Sequence, residues 1–182
     1  SWTAPKIHKG GEYKRYRNTE DGISPMLFPP SKEIIKWNSY EHDELGITTE
    51  NADLIAMMHD KRHKKNNAII NYLKSKKTVN VFGSDGPLIF TYGSTTMSVL
   101  ESLKFSNIQA RVIQPIFLKP FPIWALIEYK NESVITVELS KAGQFSALLK
   151  EKAGINTRKL INRYDGRPFD PLELSKKIKE VL

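Results

Sequence analysis

The stretch Tyr92–Leu103, YGSTTMSVLESL, comes directly after the apolar run PLIF at 87–90, and its reading decides the fold. A glycine and three hydroxyl residues separate a strand-like run from a helical pattern. Gly93 can take a tight backbone angle, and Ser94 or Thr95 can cap the unpaired amides of a first helical turn. The segment reads as the opening βα unit of an α/β domain. The amides at Gly93, Ser94 and Thr95 could also receive a phosphate or carboxylate. No G-x-G-x-x-G is present, and Ile113 and Gln114 stand where a dinucleotide fold places its acidic residue, so capping is the simpler role.

Working outward, the chain after Pro87 alternates regularly. Strands are expected at 88–92, 110–113, 133–139 and 159–164, and helices at 94–104, around 123–130, at 143–153 and at 171–182. Each principal helix carries one apolar stripe: Met97, Leu100 and Leu103; Phe145, Leu148 and Leu149; Leu174, Ile178 and Val181. Helices with a single stripe, alternating with apolar strands, predict an α/β fold with a parallel, doubly wound sheet. At KAGQFSALL, Gly143 suits a strand-to-helix turn and Gln144 can bridge polar groups at the sheet's carboxyl edge. At RYDGRPF, Asp165 and Gly166 read as a turn, with Arg167 placed to pin the last helix or to meet an acidic partner.

Residues 1–50 keep no period of 2 or 3.6, and the adjacent Pro29 and Pro30 forbid a continuous helix. They read as an extended arm with Trp2, Tyr13, Tyr16, Trp37 and Tyr40 as its buried anchors. A long surface helix is expected from about Glu50 to Lys76, and GSDGP at 83–87 breaks it off from the alternating region. The expected organisation is therefore an arm at 1–50, a helix and linker at 51–86, and an α/β domain at 87–182.

A net charge of +8 raises nucleic acid as a partner, yet residues 1–80 and 81–182 each carry 14 basic and 10 acidic groups, so neither half is a basic tail. The density peaks in DKRHKKNN and KSKK, between Asp60 and Lys77. A solvated helix face explains that run, and a polyanion contact is the sharper alternative. No cysteine occurs, so these 182 residues can supply neither a disulfide nor a thiolate-ligated iron–sulfur cluster. No apolar run approaches a membrane span of about 18 residues. The opening SWTAPKIHKG has no apolar signal core and reads as a processed or truncated end, which favours a cytoplasmic home.

His59 and His63, four apart, could share a helix face, but no third ligand stands in register, and no metal site is expected. EHDELG (41–46) packs three carboxylates and a histidine into four positions. Crowding could raise a carboxylate's pKa for acid–base work, or the cluster could be a clasp binding Lys14, Arg15 and Arg17 of the arm.

Taken together, YKRYRNTEDGISP, EHDELG, TYGSTTMSVLESL, ARVIQPIFLKPFP, ITVELSKAGQFSALLKEKAGI and RYDGRPF resemble the carboxyl-terminal part of the alpha subunit of 2-oxoacid:ferredoxin oxidoreductases. The resemblance covers most of residues 13–170, and TEDGISP with EHDELG is its distinctive pair. It implies that Tyr13–Gly46 closes a pyrimidine-type thiamine diphosphate domain and that Leu88–Leu182 forms a transketolase-like carboxyl-terminal domain. It further implies that thiamine diphosphate, Mg2+ and a [4Fe-4S] cluster sit on a beta subunit, with coenzyme A as co-substrate. The implied partners are an amino-terminal alpha segment, the beta subunit and ferredoxin, with neither membrane nor nucleic acid. On this reading Asp21, beside Gly22, is the group expected near a reaction cavity. Arg15, Glu41, His42 and Asp43 are loop and interface groups, and Arg167 is a further interface candidate. The sequence departs from the family pattern at Ser140, where an asparagine is common, and at WNSY (37–40), which lacks a Gly-rich turn. The competing expectation is a non-catalytic α/β module that contacts nucleic acid or an acidic protein through its basic helix.

Overall fold

A computed structural model describes residues 5–182. Trp2, expected as an arm anchor, lies outside the described residues. The chain forms two compact units, one reaching to Tyr72 and the other spanning Leu73–Leu182.

The first unit has little regular structure before helix α1 (Ala52–Lys74), whose last two residues belong to the second unit. Its irregular part is held by backbone bridges, Ile7 with Met26 and His42 with Thr48, instead of a sheet. Of the expected aromatic anchors, Tyr13 is buried and Tyr16 half-buried. Trp37 and Tyr40 are 72% and 73% exposed, so they anchor nothing within this chain. The helix begins where Asn51 accepts the Leu54 amide through its Oδ1 at 3.0 Å, capping orphan donors of the first turn.

The second unit is a five-stranded sheet in the order β1-β3-β2-β4-β5, comprising β1 (Val79–Phe82), β2 (Leu88–Phe90), β3 (Arg111–Pro115), β4 (Val134–Glu138) and β5 (Thr157–Asn162). Strands β2 to β5 pair in parallel, with Ile89 opposite Val112 on one side and Ile135 on the other. Every residue of β2 and β4 is buried, as strands covered on both faces must be. The period of two sorts them into two cores. Ile89, Val112, Ile135 and Val137 pack with Val99 and Leu103 of α2 (Thr95–Ser106) and with Leu174 and Ile178 of α4 (Pro171–Val181). Leu88, Phe90, Ile113 and Val134 pack with Phe145 and Leu149 of α3 (Gln144–Ala153). The parallel, doubly covered sheet expected from the alternation is thus present.

Three local expectations fail, each for a physical reason. Strand β1 was not expected: it is four residues long and pairs antiparallel with β3, setting Asn80 opposite Gln114, and that long-range pairing leaves no periodic mark in VNVF. The helix expected around 123–130 is two single 3₁₀ turns, Ile123–Ala125 and Ile127–Tyr129. Pro120 and Pro122 remove amide donors just ahead of them, and fully buried Leu126 between the turns joins the second core. On α2, Met97 is 68% exposed, and the inward stripe is Thr96, Val99 and Leu103.

Candidate functional site

The residues singled out in the sequence fall into two groups, one in each unit. In the first unit, Asp21 begins a tight turn: its Oδ1 accepts the Ile23 amide at 3.0 Å and the Thr19 hydroxyl at 3.1 Å, while Oδ2 accepts from the Lys6 ammonium. The Lys6 hydrogen bond, and after it the Ile23 amide, hold the Asp21 pKa down at about 2. At neutral pH this side chain is a carboxylate that can accept a hydrogen bond or repel an anion; it has no proton to give. Gly22 is next at φ +71°, buried against α1, where a Cβ would lie 2.5 Å from the Lys61 carbonyl oxygen and 2.9 Å from the Lys65 amide nitrogen. Glycine is required at that point twice over, by backbone angle and by proximity. Ser24 Oγ donates to the Arg17 carbonyl at 2.9 Å and closes the loop.

EHDELG is a clasp. Arg62 donates to both Glu41 oxygens at 2.8 Å, and His59 Nε2 lies 3.3 Å from Oε1. The Arg62 hydrogen bond lowers the Glu41 pKa, so charge crowding does not raise it as one of the two sequence readings required. His42 is buried, its ring stacked on Tyr16 with centroids 3.8 Å apart and its Nδ1 2.8 Å from the Asp43 carbonyl oxygen. Asp43 Oδ1 accepts the Leu45 and Ile47 amides, each at 2.9 Å. Glu44 takes the Asn18 amide at 2.6 Å and the Lys14 ammonium at 3.3 Å. His42 and Glu44 thus tie residues 41–47 to residues 14–18, Glu41 ties them to α1, and Asp43 closes their own turn. No group of three or more His, Asp or Glu side chains is placed to hold a metal ion among the described residues.

Between clasp, loop and α1 lies a cleft of about 330 Å³, lined by Arg15, Lys61, Arg62 and Lys65 with Met58 as apolar lining. The Arg15 guanidinium lies 5.3 Å from the Tyr16 ring centroid, within cation–π range. Lys61 is 8% exposed, and its Nζ makes a hydrogen bond of 3.4 Å to the Gly22 carbonyl. Sequence reasoning placed Lys61, Arg62 and Lys65 in a charged run, with a polyanion contact as its sharper alternative, and Arg15 among the loop and interface groups. The signal that could have separated Lys61 was its spacing of three from Met58 on the face that Gly22 approaches.

The second group lies at the carboxyl edge of the sheet. Gly93 has φ +57°, the tight angle expected. Ser94 stands at the N-cap of α2 but is already helical and makes no capping bond with its side chain; Thr95 is buried in the first turn. Gln114, which replaces the acidic residue of a dinucleotide fold, accepts from Asn80 Nδ2 at 2.9 Å and donates to the Gly93 carbonyl at 3.3 Å. Gly143 is left-handed at φ +67°, and the Gln144 amide donates to Ser140 Oγ at 3.2 Å, so the serine hydroxyl still serves as an acceptor for the turn.

Glu138 carries more of this turn than the sequence reading assigned it. It is fully buried, and its two oxygens accept the Phe145 and Ser146 amides, both at 2.9 Å, at the positive end of α3. A carboxylate ending a β-branched run, Val134–Val137, is the sequence mark that could have found it. Arg167 is exposed, and the guanidinium that ties the last turn together is that of Arg163. It holds Asp165 at 2.8 and 2.9 Å and Glu173 of α4 at 3.3 Å, which corrects the expectation that Arg167 pins this helix.

No family model matches the sequence. The alpha subunit of 2-oxoacid:ferredoxin oxidoreductase 1 from Sulfurisphaera tokodaii is 33% identical over 184 residues, covering 97% of this chain and 29% of the relative. The alpha subunit of the Saccharolobus solfataricus enzyme is 33% identical over 178 residues, covering 94% and 28%. Among solved structures, 2-oxoglutarate:ferredoxin oxidoreductase from Magnetococcus marinus, with 2-oxoglutarate, coenzyme A and succinyl-CoA bound, superposes at a TM-score of 0.73. It is 30% identical, covering 96% of this chain and 32% of that one. The chain thus spans about three tenths of the relatives it matches, and nothing among these matches favours a nucleic-acid-binding module. No helix among the described residues is long and apolar enough to cross a membrane. Similarity to 2-oxoacid:ferredoxin oxidoreductase alpha subunits thus runs through both units and nearly the whole of this chain, over about three tenths of the relatives' own length.

Proposed function

We propose that this chain is the carboxyl-terminal part of the alpha subunit of a cytoplasmic 2-oxoacid:ferredoxin oxidoreductase and is inactive by itself. The whole assembly releases CO2 from a 2-oxoacid, passes two electrons to ferredoxin and leaves the acyl group on the sulfur of coenzyme A. The observation that carries this reading is the match at a TM-score of 0.73 and 30% identity over 96% of the chain to an enzyme solved with a 2-oxoacid, coenzyme A and acyl-CoA bound. On this reading residues 13–46 close a pyrimidine-type cofactor domain, and residues 88–182 form a transketolase-like carboxyl-terminal domain. The partners are an amino-terminal alpha segment, a beta subunit and ferredoxin.

The described residues offer no carboxylate cluster suited to Mg2+, and the sequence contains no thiolate for a cluster. The resemblance to these alpha subunits assigns thiamine diphosphate, its metal and the iron–sulfur centre to companion polypeptides, where the cofactor would supply the carbanion chemistry. This chain's share is positional. Asp21, ionised and fixed at the start of a glycine turn, presents a negative group on a loop beside the reaction cavity, and Arg15, Glu41, His42 and Asp43 hold that loop's surroundings. Gly93–Thr95 and Gly143–Gln144 shape the carboxyl edge of the second unit, and Arg167 faces a partner.

Reconstitution with the amino-terminal alpha segment and a beta subunit tests the assignment. The expected result is a brown complex that reduces ferredoxin only when both 2-oxoacid and coenzyme A are present. In that complex Asp21→Ala is expected to slow turnover while leaving assembly intact. Failure of the three polypeptides to co-elute would overturn the assignment, and wild-type rates for Asp21→Ala would remove Asp21 from the cavity.

A further inference from the structure

The cationic cleft of the first unit has a charge balance that the clasp does not explain. Of its four cations, Arg62 is matched by Glu41. Arg15, Lys61 and Lys65 have no carboxylate within ion-pair distance among the described residues. Lys61 is the informative one. An ammonium removed from water is held in place when a carboxylate or several good acceptors surround it. Here it has one carbonyl, that of Gly22, at 3.4 Å. Burial, and then repulsion from Lys65, Arg15 and Arg62, push its pKa down, while Glu44 opposes them. A fold that keeps three like charges around a roomy cleft of about 330 Å³ retains a cost it could remove by exchanging Lys61 for methionine, which has a similar stem.

We propose that this cleft is an anion site that takes the phosphate or diphosphate group of a small molecule, with Lys61 at its base and Arg15 and Lys65 at its mouth. The class is set by charge and shape. A lone carboxylate would balance one of three cations, whereas a phosphate group carries close to two negative charges and a diphosphate more. A guanidinium steadied against the Tyr16 ring suits a fork of phosphate oxygens, and lysines meet the same group as point charges. Rim and base come from residues far apart in sequence, so the site exists only once loop 19–25 lies on α1. The cleft is complete within this chain, so anion binding there does not depend on the enzyme assignment.

Calorimetric titration of the purified chain with inorganic pyrophosphate at low salt tests the proposal. Saturable, one-to-one binding that weakens as salt is raised is expected. Lys61→Met is expected to raise Kd by about tenfold or more while leaving the thermal midpoint unchanged or higher, because it removes an uncompensated buried charge. Should Lys61→Met fail to fold, Lys65→Gln and Arg15→Gln carry the same test at the mouth, with a rise in Kd of about threefold or more for each. Lys177→Gln, at an exposed position of α4, serves as the control and is expected to change nothing. ADP titrated in parallel separates two sources of the same chemistry. Tighter binding than pyrophosphate indicates a nucleotide-bearing ligand, and equal binding indicates recognition of the phosphates alone; both support the site. Absence of pyrophosphate binding at millimolar concentration, or a Kd indifferent to the changes at Lys61, Lys65 and Arg15, would overturn it.

Discussion

Replacing Gly22 by alanine separates the two reasons for glycine in TEDGISP. At φ +71° an L-residue carries a conformational cost of about 1–2 kcal/mol. The new methyl group would also lie 2.5 Å from the Lys61 carbonyl oxygen and 2.9 Å from the Lys65 nitrogen. These are backbone atoms inside α1 and cannot turn aside as a side-chain tip would. The loop must lift from the helix instead, and overpacking of that kind costs about 1–3 kcal/mol. Gly22→Ala should therefore destabilise the first unit by about 2–5 kcal/mol in total. Gly11 supplies the comparison within the same unit: it has φ +77° but nothing within 4 Å of its would-be Cβ. Gly11→Ala should cost only the conformational part, about 1–2 kcal/mol. Urea unfolding of the chain, monitored by tryptophan fluorescence and circular dichroism, measures both variants. Equal losses at the two positions would mean that the loop does not press on α1, and the cleft would lose the contact that closes it.

The carboxylates give two further outcomes. Asp21 has its folded pKa depressed from 3.8 to about 2, mainly by Lys6, so its stabilising contribution is full above pH 4 and is lost as pH falls toward 2. Acid unfolding should be steepest for the wild type across that window and shallower for Asp21→Asn, with the difference shrinking in salt because the ion pair is partly exposed. Glu138→Gln keeps one oxygen acceptor but turns an amide toward the Phe145 or Ser146 N–H, leaving a buried donor unmatched at a cost of about 1–3 kcal/mol. Thermal unfolding of the second unit reads that loss, and a midpoint equal to wild type would show that water satisfies the turn.

What the sequence could determine by itself was whatever repeats locally. The apolar run at 88–90 and the β-branched run at 134–137 announced strands buried on both faces, and the stripes on α3 and α4 announced helices with one face to cover. These signals are legible because the periods of 2 and 3.6 are properties of the chain's own geometry. Tertiary structure alone decided the rest. VNVF became a strand only because β3 offered an unpaired edge, and Met97 turned outward because Thr96 and Val99 filled the space beneath α2. The same holds for the candidate sites. EHDELG looked like crowded acid until Arg62 and Lys14 arrived from elsewhere to neutralise it, and Lys61 looked like one lysine among many until Gly22 closed over it. Charge and burial depend on neighbours distant along the chain, and no local spacing encodes which of them will meet.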